Sequence, residues 1–185
     1  MTRAVLFPCI QQTKLSGNAM LYEQLFRGLH LHRIRYLVVG AVAVNLHGVP
    51  RMTADLDIMI DLREENLRPF IDMVVGLGYT PRVPVPPFDF LDRAKRHDWR
   101  ETKSMVVFTW LHRQRPYEEI DVFLDNPVDF DIAFSRKTSL PIQDFSVLIA
   151  SVPDLIELKR LAGREQDHSD ILALQQLLDL SDGQP

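Results

Sequence analysis

The sequence predicts one α/β (α+β) domain built around a mixed β-sheet flanked by helices, with a C-terminal helical extension. Three observations carry the prediction. The length, 185 residues, fits a single domain at roughly 100–200 residues each. Short β-branched and aromatic runs alternate with segments of helical period, first singly and then in pairs. At 46% hydrophobic and 25% charged residues, the composition is that of a globular chain with a core, not of a disordered, coiled-coil or collagen-like one.

Met1–Ser16 has no steady period and is expected to be an accessory segment ahead of a core at 17–150, with C-terminal helices over 151–185. From Asn18 to about Arg33, Leu21, Leu25, Leu29 and His32 recur at three- and four-residue steps, the mark of an amphipathic helix. Tyr36–Val39 reads as a buried strand ending at Gly40, and Ala41–His47 as a short helix closed by Gly48 and Pro50. Leu56–Ile60 is a second strand. Arg63–Val75 is a helix with Leu67, Phe70, Ile71, Val74 and Val75 on one face, stopped by Gly76-Leu77-Gly78. Four prolines within 81–88 make a stiff connecting loop. Met105–Trp110 and Glu119–Leu124 read as a hairpin, and Leu140–Ile142 and Ser146–Ala150 as short strands. Helices over Pro153–Ala162 and Asp167–Leu180, joined at Gly163, close the chain.

No run of 18 apolar residues exists, and Ala4–Ile10 is too short and lacks a small-residue cleavage site, so neither a membrane span nor a signal peptide is expected. The single cysteine, Cys9, forms no intrachain disulfide and no cysteine-based zinc site; a cytoplasmic location fits. The six histidines show no zinc spacing. No Walker lysine motif, G-x-G-x-x-G or nucleophile elbow is present. The net charge of −4 does not suggest a nucleic-acid clamp, although residues 1–53 carry six basic groups against one acid.

The sharpest local feature is Asp55-Leu56-Asp57. Residues two apart on a strand share a face, so two carboxylates stand side by side and repel unless a cation lies between them. All-oxygen ligands favour Mg²⁺ or Mn²⁺. The plainer reading is a strand end with solvated acids. Asp121, between Ile120 and Val122, is a second acid in an apolar strand, where a lone carboxylate costs several kcal/mol unless paired or metal-bound. It serves either as a salt-bridged edge residue or as the third ligand of a site for in-line displacement at phosphorus. Val39-Gly40-Ala41 joins a strand to a helix start, either for tight packing or to let a phosphate approach the backbone.

The segment from Tyr36 to Ile60, with its Gly40-Ala41 turn, short helix and Asp55-x-Asp57 strand, resembles the signature of the polymerase-β-like nucleotidyltransferase superfamily. Arg51-x-Thr53-x-Asp55-x-Asp57, together with the late stretch Lys159…Arg164-x-x-Asp167, looks most like the bacterial AbiEii-type branch, whose members are often toxins of toxin–antitoxin systems. The resemblance covers about residues 20–180. It implies a nucleotidyltransferase fold and Mg²⁺-dependent transfer of an NMP from an NTP to a hydroxyl of an RNA, protein or small-molecule acceptor. It also implies a cognate antitoxin or partner protein; the alternative is a catalytically silent nucleotide- or partner-binding member of such a pair.

Carried over residue by residue, the resemblance makes Asp55, Asp57 and Asp121 metal ligands, with Asp121 also the base. Gly40 and Ala41 become the phosphate turn, where the second position is usually Gly or Ser and Ala41 removes a possible hydroxyl contact. Arg51, Thr53 and Lys159 are expected at the nucleotide, with Asp167 supporting them. From the residues alone, Lys159 either snorkels to solvent or aims its charge at an anion, and Arg51 and Thr53 either meet triphosphate or hold their loop. Arg164 and Asp167 suit an ion pair or a helix cap. Asp92–Lys103 holds five basic residues, a histidine and a tryptophan among three acids, and is either a solvated helix face or a contact for an RNA acceptor.

Overall fold

Strand pairing puts the most apolar run of the chain near the centre of one mixed sheet. The computed structural model describes residues 21–53 and 55–182; the expected accessory segment 1–16 and the helix start at Asn18 lie outside them. Seven strands, β1 (Tyr36–Val38), β2 (Leu56–Ile60), β3 (Tyr79–Pro81), β4 (Val107–His112), β5 (Glu119–Phe123), β6 (Thr138–Ile142) and β7 (Phe145–Ile149), line up in the order β3-β4-β5-β2-β1-β7-β6. The β2–β5 and β1–β7 pairs are parallel and the others antiparallel. Both edge strands carry a proline, Pro81 in β3 and Pro141 in β6, where a missing N–H costs no internal ladder bond.

The helices are α1 (Glu23–Leu31), α2 (Gly40–Leu46), α3 (Glu64–Gly76), α4 (Arg93–Lys103), α5 (Phe130–Ser135), α6 (Val152–Ala162) and α7 (Glu165–Asp182). Helix α1 packs on β7 and α3, α2 packs on β2 and α6, and α6 packs along α7. Asp92, Asp129 and Ser151 cap α4, α5 and α6 with side-chain oxygens. Gly163 adopts φ +62° and ends α6 with its N–H bonded to the Lys159 carbonyl.

Alternation in β4 and β5 separates two faces. Phe108, Trp110, Ile120 and Val122 are fully buried, while Thr109, Asp121 and Phe123 stand half-buried on the other side. The buried side carries an aromatic cluster: Phe90, Trp99 and Trp110 each lie 5.0–5.2 Å from Phe108 by ring centroid, and Phe70 meets Trp110 edge-on at 6.1 Å.

The structure revises several boundaries. Strand β4 runs on to His112 because its end pairs with both β3 and β5. Three-residue β3 is too short to show a period. A 3₁₀ turn over Pro87–Leu91 interrupts the proline-rich loop and buries Phe90. Helix α5 was not expected; its only fully buried residue is Ala133, so it has no apolar stripe to read.

Phe108 is fully buried at the centre of this aromatic cluster, so Phe108→Ala is expected to cost about 3–5 kcal/mol. Urea unfolding followed by tryptophan fluorescence measures it; a loss below about 1 kcal/mol would contradict this account.

Candidate active site

Parallel pairing of β2 with β5 sets Leu56 opposite Ile120, Asp57 opposite Asp121 and Ile58 opposite Val122. Antiparallel pairing of β5 with β4 sets Thr109 opposite Asp121. Cross-strand partners share a face, so Asp57, Asp121 and Thr109 form a row across three strands. Thr109 Oγ1 donates to Asp121 Oδ1 at 2.6 Å. Asp55, just before β2, receives a hydrogen bond from Thr53 Oγ1 at 2.9 Å. Asp55, Asp57 and Asp121 each bring a carboxylate oxygen to a common point, these atoms lying within 4.8 Å of one another.

Gly40 backs this row. It sits at φ +62°, and a Cβ there would lie 2.0 Å from Asp57 Oδ2. Only glycine therefore permits both the turn and the close approach of the carboxylate to the backbone. The adjoining Val39 N–H donates to the Asp57 carbonyl at 2.9 Å, fixing β2 against the turn.

Burial pushes the Asp57 carboxyl up to about 6, and the charges of Asp55 and Asp121 push the same way, against the opposing pull of Arg164 and Lys159. Burial also raises Asp121, while the Thr109 hydroxyl bond partly offsets it. Among the described residues, only the hydroxyls of Thr53 and Thr109 donate to these three carboxylates, and none of the three is ion-paired. Three converging, half-buried carboxylates without a counter-ion fit a hard divalent cation, which accepts oxygen ligands only.

The row opens into a cleft of about 820 Å³ lined by Gly40, Ala41, Arg51, Thr53, Lys159, Arg164 and Asp167, among others. Asp55 and Asp57 line it too; Asp121 does not, and joins the site through its place in the carboxylate row. Lys159 is buried, with Nζ 3.1 Å from Asp167 Oδ1 and 2.5 Å from Asp170 Oδ2. Arg51 Nη1 reaches Asp170 Oδ1 at 2.9 Å, and Asn45 brackets the Arg51 backbone, donating to its carbonyl and accepting from its N–H. Asp167 Oδ2 also accepts the Arg164 N–H at 3.1 Å, so of the two readings the Arg164–Asp167 spacing is a helix cap. That leaves the exposed Arg164 side chain lining the cleft without an ion pair among the described residues.

Three contributors had no role assigned from the sequence. Thr109 and Asn45 are ordinary polar residues until the strands and loops are paired. Asp170 carried a signal, because it lies three residues after Asp167 and so on the same helical face.

No family model matches the chain, and no curated protein matches it by sequence. Solved structures do. ANT(2")-Ia in complex with adenylyl-2"-tobramycin superposes with a TM-score of 0.56 at 12% identity, over 87% of this chain and 89% of that one. The lincosamide antibiotic adenylyltransferase LnuA, lincomycin-bound, gives 0.50 at 18% identity, over 90% and 97%. An antigenic nucleotidyltransferase-like protein from Paracoccidioides brasiliensis gives 0.51 at 17% identity, over 92% and 76%. The chain has the nucleotidyltransferase fold.

A carboxylate raised in the folded state holds protons that the unfolded chain has already released. In the metal-free protein Asp57 therefore lowers stability progressively as pH rises from about 4 to about 6, by an amount on the order of 2–3 kcal/mol. Asp57→Asn is expected to remove that decline and to be the more stable form at pH 7 in the presence of chelator. Urea titrations of both proteins from pH 4 to 7 check this; a constant difference between them across that range would refute it.

Proposed function

We propose that the protein transfers a nucleoside monophosphate from an NTP to a hydroxyl of an acceptor and releases pyrophosphate. The observation that carries this reading is the convergence of Asp55, Asp57 and Asp121, with Asp57 against the bare backbone of Gly40, beside a cleft that Asp55, Asp57 and Gly40 line. A bond forms between the acceptor oxygen and the α-phosphorus, the bond from that phosphorus to the bridging oxygen of the leaving pyrophosphate breaks, and the hydroxyl proton passes to Asp121. Mg²⁺ or Mn²⁺ between the three carboxylates would supply charge neutralisation for the triphosphate and acidify the acceptor hydroxyl.

The protein's own groups divide the remaining work. Thr109 bonds Asp121 Oδ1 and so fixes the orientation of the carboxylate that takes the proton. Gly40 and Ala41 present backbone to the phosphates, and the guanidinium of Arg164 adds positive charge to the same cleft. Lys159 contributes its field while held by Asp167 and Asp170. Arg51, tied to Asp170, and Thr53, tied to Asp55, keep the loop before β2 in place and face the nucleotide.

Two neighbours of this fold are known with adenylyl-2"-tobramycin and lincomycin, which supports nucleotidyl transfer as the reaction class. A place in the AbiEii-type branch, and with it an antitoxin partner and a cytoplasmic NTP pool, rests on the Arg51-to-Asp57 and Lys159-to-Asp167 motifs.

Incubation with each α-labelled NTP, Mg²⁺ and, separately, total RNA, total protein and small-molecule extracts tests the reading. Label transfer is expected, with Asp57→Ala abolishing it and Asp121→Asn lowering the rate by about 10²–10⁴-fold. Full transfer by Asp57→Ala overturns the proposal. Nucleotide binding by calorimetry without transfer to any acceptor would instead mark a catalytically silent nucleotide binder. Gly40→Ala, whose Cβ collides with Asp57, is expected to cost at least about 100-fold in transfer rate.

A further inference from the structure

Asp121 and Phe123 share the outward face of β5, and Asp125, just past the strand's end, lines both the main cleft and a second one. That cleft, of about 420 Å³, is walled by α4 on one side and by the start of α5 on another; Arg100 and Asp125 line both clefts. Phe123 lies roughly 7 Å along the strand from Asp121. Beside it stands Val106, whose carbonyl accepts the Leu124 N–H at 3.1 Å and whose side chain is 65% exposed. The two make an apolar ledge in the main cleft, between the row and the second cleft.

Charges that alternate along the sequence of α4 are sorted by its helical turn. Arg93, Arg96, His97 and Arg100 line the second cleft; Asp98 and Glu101 do not, and Asp92 is used as the helix cap. Arg96 is buried and donates to the Phe90 and Leu91 carbonyls, a structural task. The acids of the cleft are likewise engaged. Asp61 and Asp131 are paired with Arg35 and Arg63, Asp125 with Arg100, and Asp129 caps α5. Arg93 and His97, one turn apart on the same helix, remain exposed and without a hydrogen bond or ion pair among the described residues.

We propose that Arg93 and His97 form a phosphate-anchoring subsite for the acceptor, whose reactive hydroxyl meets Asp121 while its body crosses the Phe123–Val106 ledge. The proposal rests on the nucleotidyl-transfer reading and narrows its acceptor to an elongated, phosphate-bearing molecule. A guanidinium and an imidazole one helical turn apart offer several N–H donors to one phosphate, and the fork of the arginine matches two of its oxygens. Of the neighbouring carboxylates, Asp61, Asp125 and Asp131 are neutralised by arginines, and Asp129 is turned to its helix cap.

Calorimetric titrations at low salt test the subsite, with the main cleft first saturated by Mg²⁺ and a non-hydrolysable ATP analogue. The probes are inorganic phosphate, phenyl phosphate and a 5′-phosphorylated hexauridylate. Phenyl phosphate is expected to bind more tightly than inorganic phosphate because it also covers the ledge. The double variant Arg93→Ala/His97→Ala is expected to weaken phosphate-bearing probes about tenfold or more while leaving the analogue's affinity and the melting temperature unchanged. Hexauridylate binding far more tightly than phenyl phosphate, with a steep salt dependence, would support the subsite and identify the source as a nucleic-acid end. Equal affinities would support it with a small phosphorylated acceptor. The proposal is overturned if no probe binds, or if the double variant binds all three like the parent. Failure of the analogue to bind with phosphate binding intact would instead overturn the transfer reading, so the two failures are distinguishable.

Discussion

The constraint on which the site depends is the register of two parallel strands. Pairing Asp57 of β2 with Asp121 of β5 forces like charges together in a half-buried place, with Asp55 alongside. Such an arrangement opposes folding of the free protein, and the rest of the sheet makes it tolerable. The far faces of the same strands bury Leu56, Ile58, Ile120 and Val122 completely, and apolar burial of this kind contributes about 1.5–3 kcal/mol per side chain. A one-residue slip of β5 would turn Ile120 and Val122 outward and Asp121 into the aromatic core. The packing that stabilises the domain therefore also enforces the unfavourable cluster.

A second device holds the cleft together from the other side. Half-buried Arg51 on the loop before β2 joins buried Lys159 on α6 and buried Asp167 and Asp170 on α7 in one ion network. Buried ion pairs contribute little net stability once desolvation is counted, while losing one partner is costly. The value of this network is geometric. It fastens the two C-terminal helices to the loop that delivers Thr53 and Asp55, so the wall carrying Lys159 and Arg164 keeps its distance from the carboxylates. Asp167 also caps α7 through the Arg164 N–H, which turns the Arg164 side chain from a pairing partner into a free charge on the cleft.

Much of the fold was legible because its strongest elements carry strong periodic signals. Helix α3 shows its stripe of Leu67, Phe70, Ile71 and Val74, although Val75, expected on the same face, turns to solvent; β2 is an apolar run around one acid, and Gly163 marks the α6 terminus. Legibility failed where tertiary contacts supply the reason for an element. Strand β3 exists because β4 offers an edge, and β4 extends to His112 because both its neighbours pair there. Helix α5 buries a single alanine and is held by its Asp129 cap and by Asp131 pairing with Arg35 and Arg63. Helix α4 is very polar, yet Trp99 and Arg96 anchor it to the aromatic cluster and the 3₁₀ turn.

By itself the sequence determined which atoms are available and which local pairs they form. A two-residue step places Asp55 and Asp57 on one side of a strand, and a glycine at position 40 permits a left-handed turn, because both depend only on neighbouring backbone angles. The tertiary structure decided what those groups meet. Strand order and register brought Asp121 and Thr109 to Asp57, set Gly40 against its carboxylate, and joined Arg51 to Asp170 across 119 positions of the chain. It also sorted the mixed charges of α4 into a basic face and a solvated one. Distances across a sheet follow from pairing between remote segments, and spacing along a single chain contains no record of them.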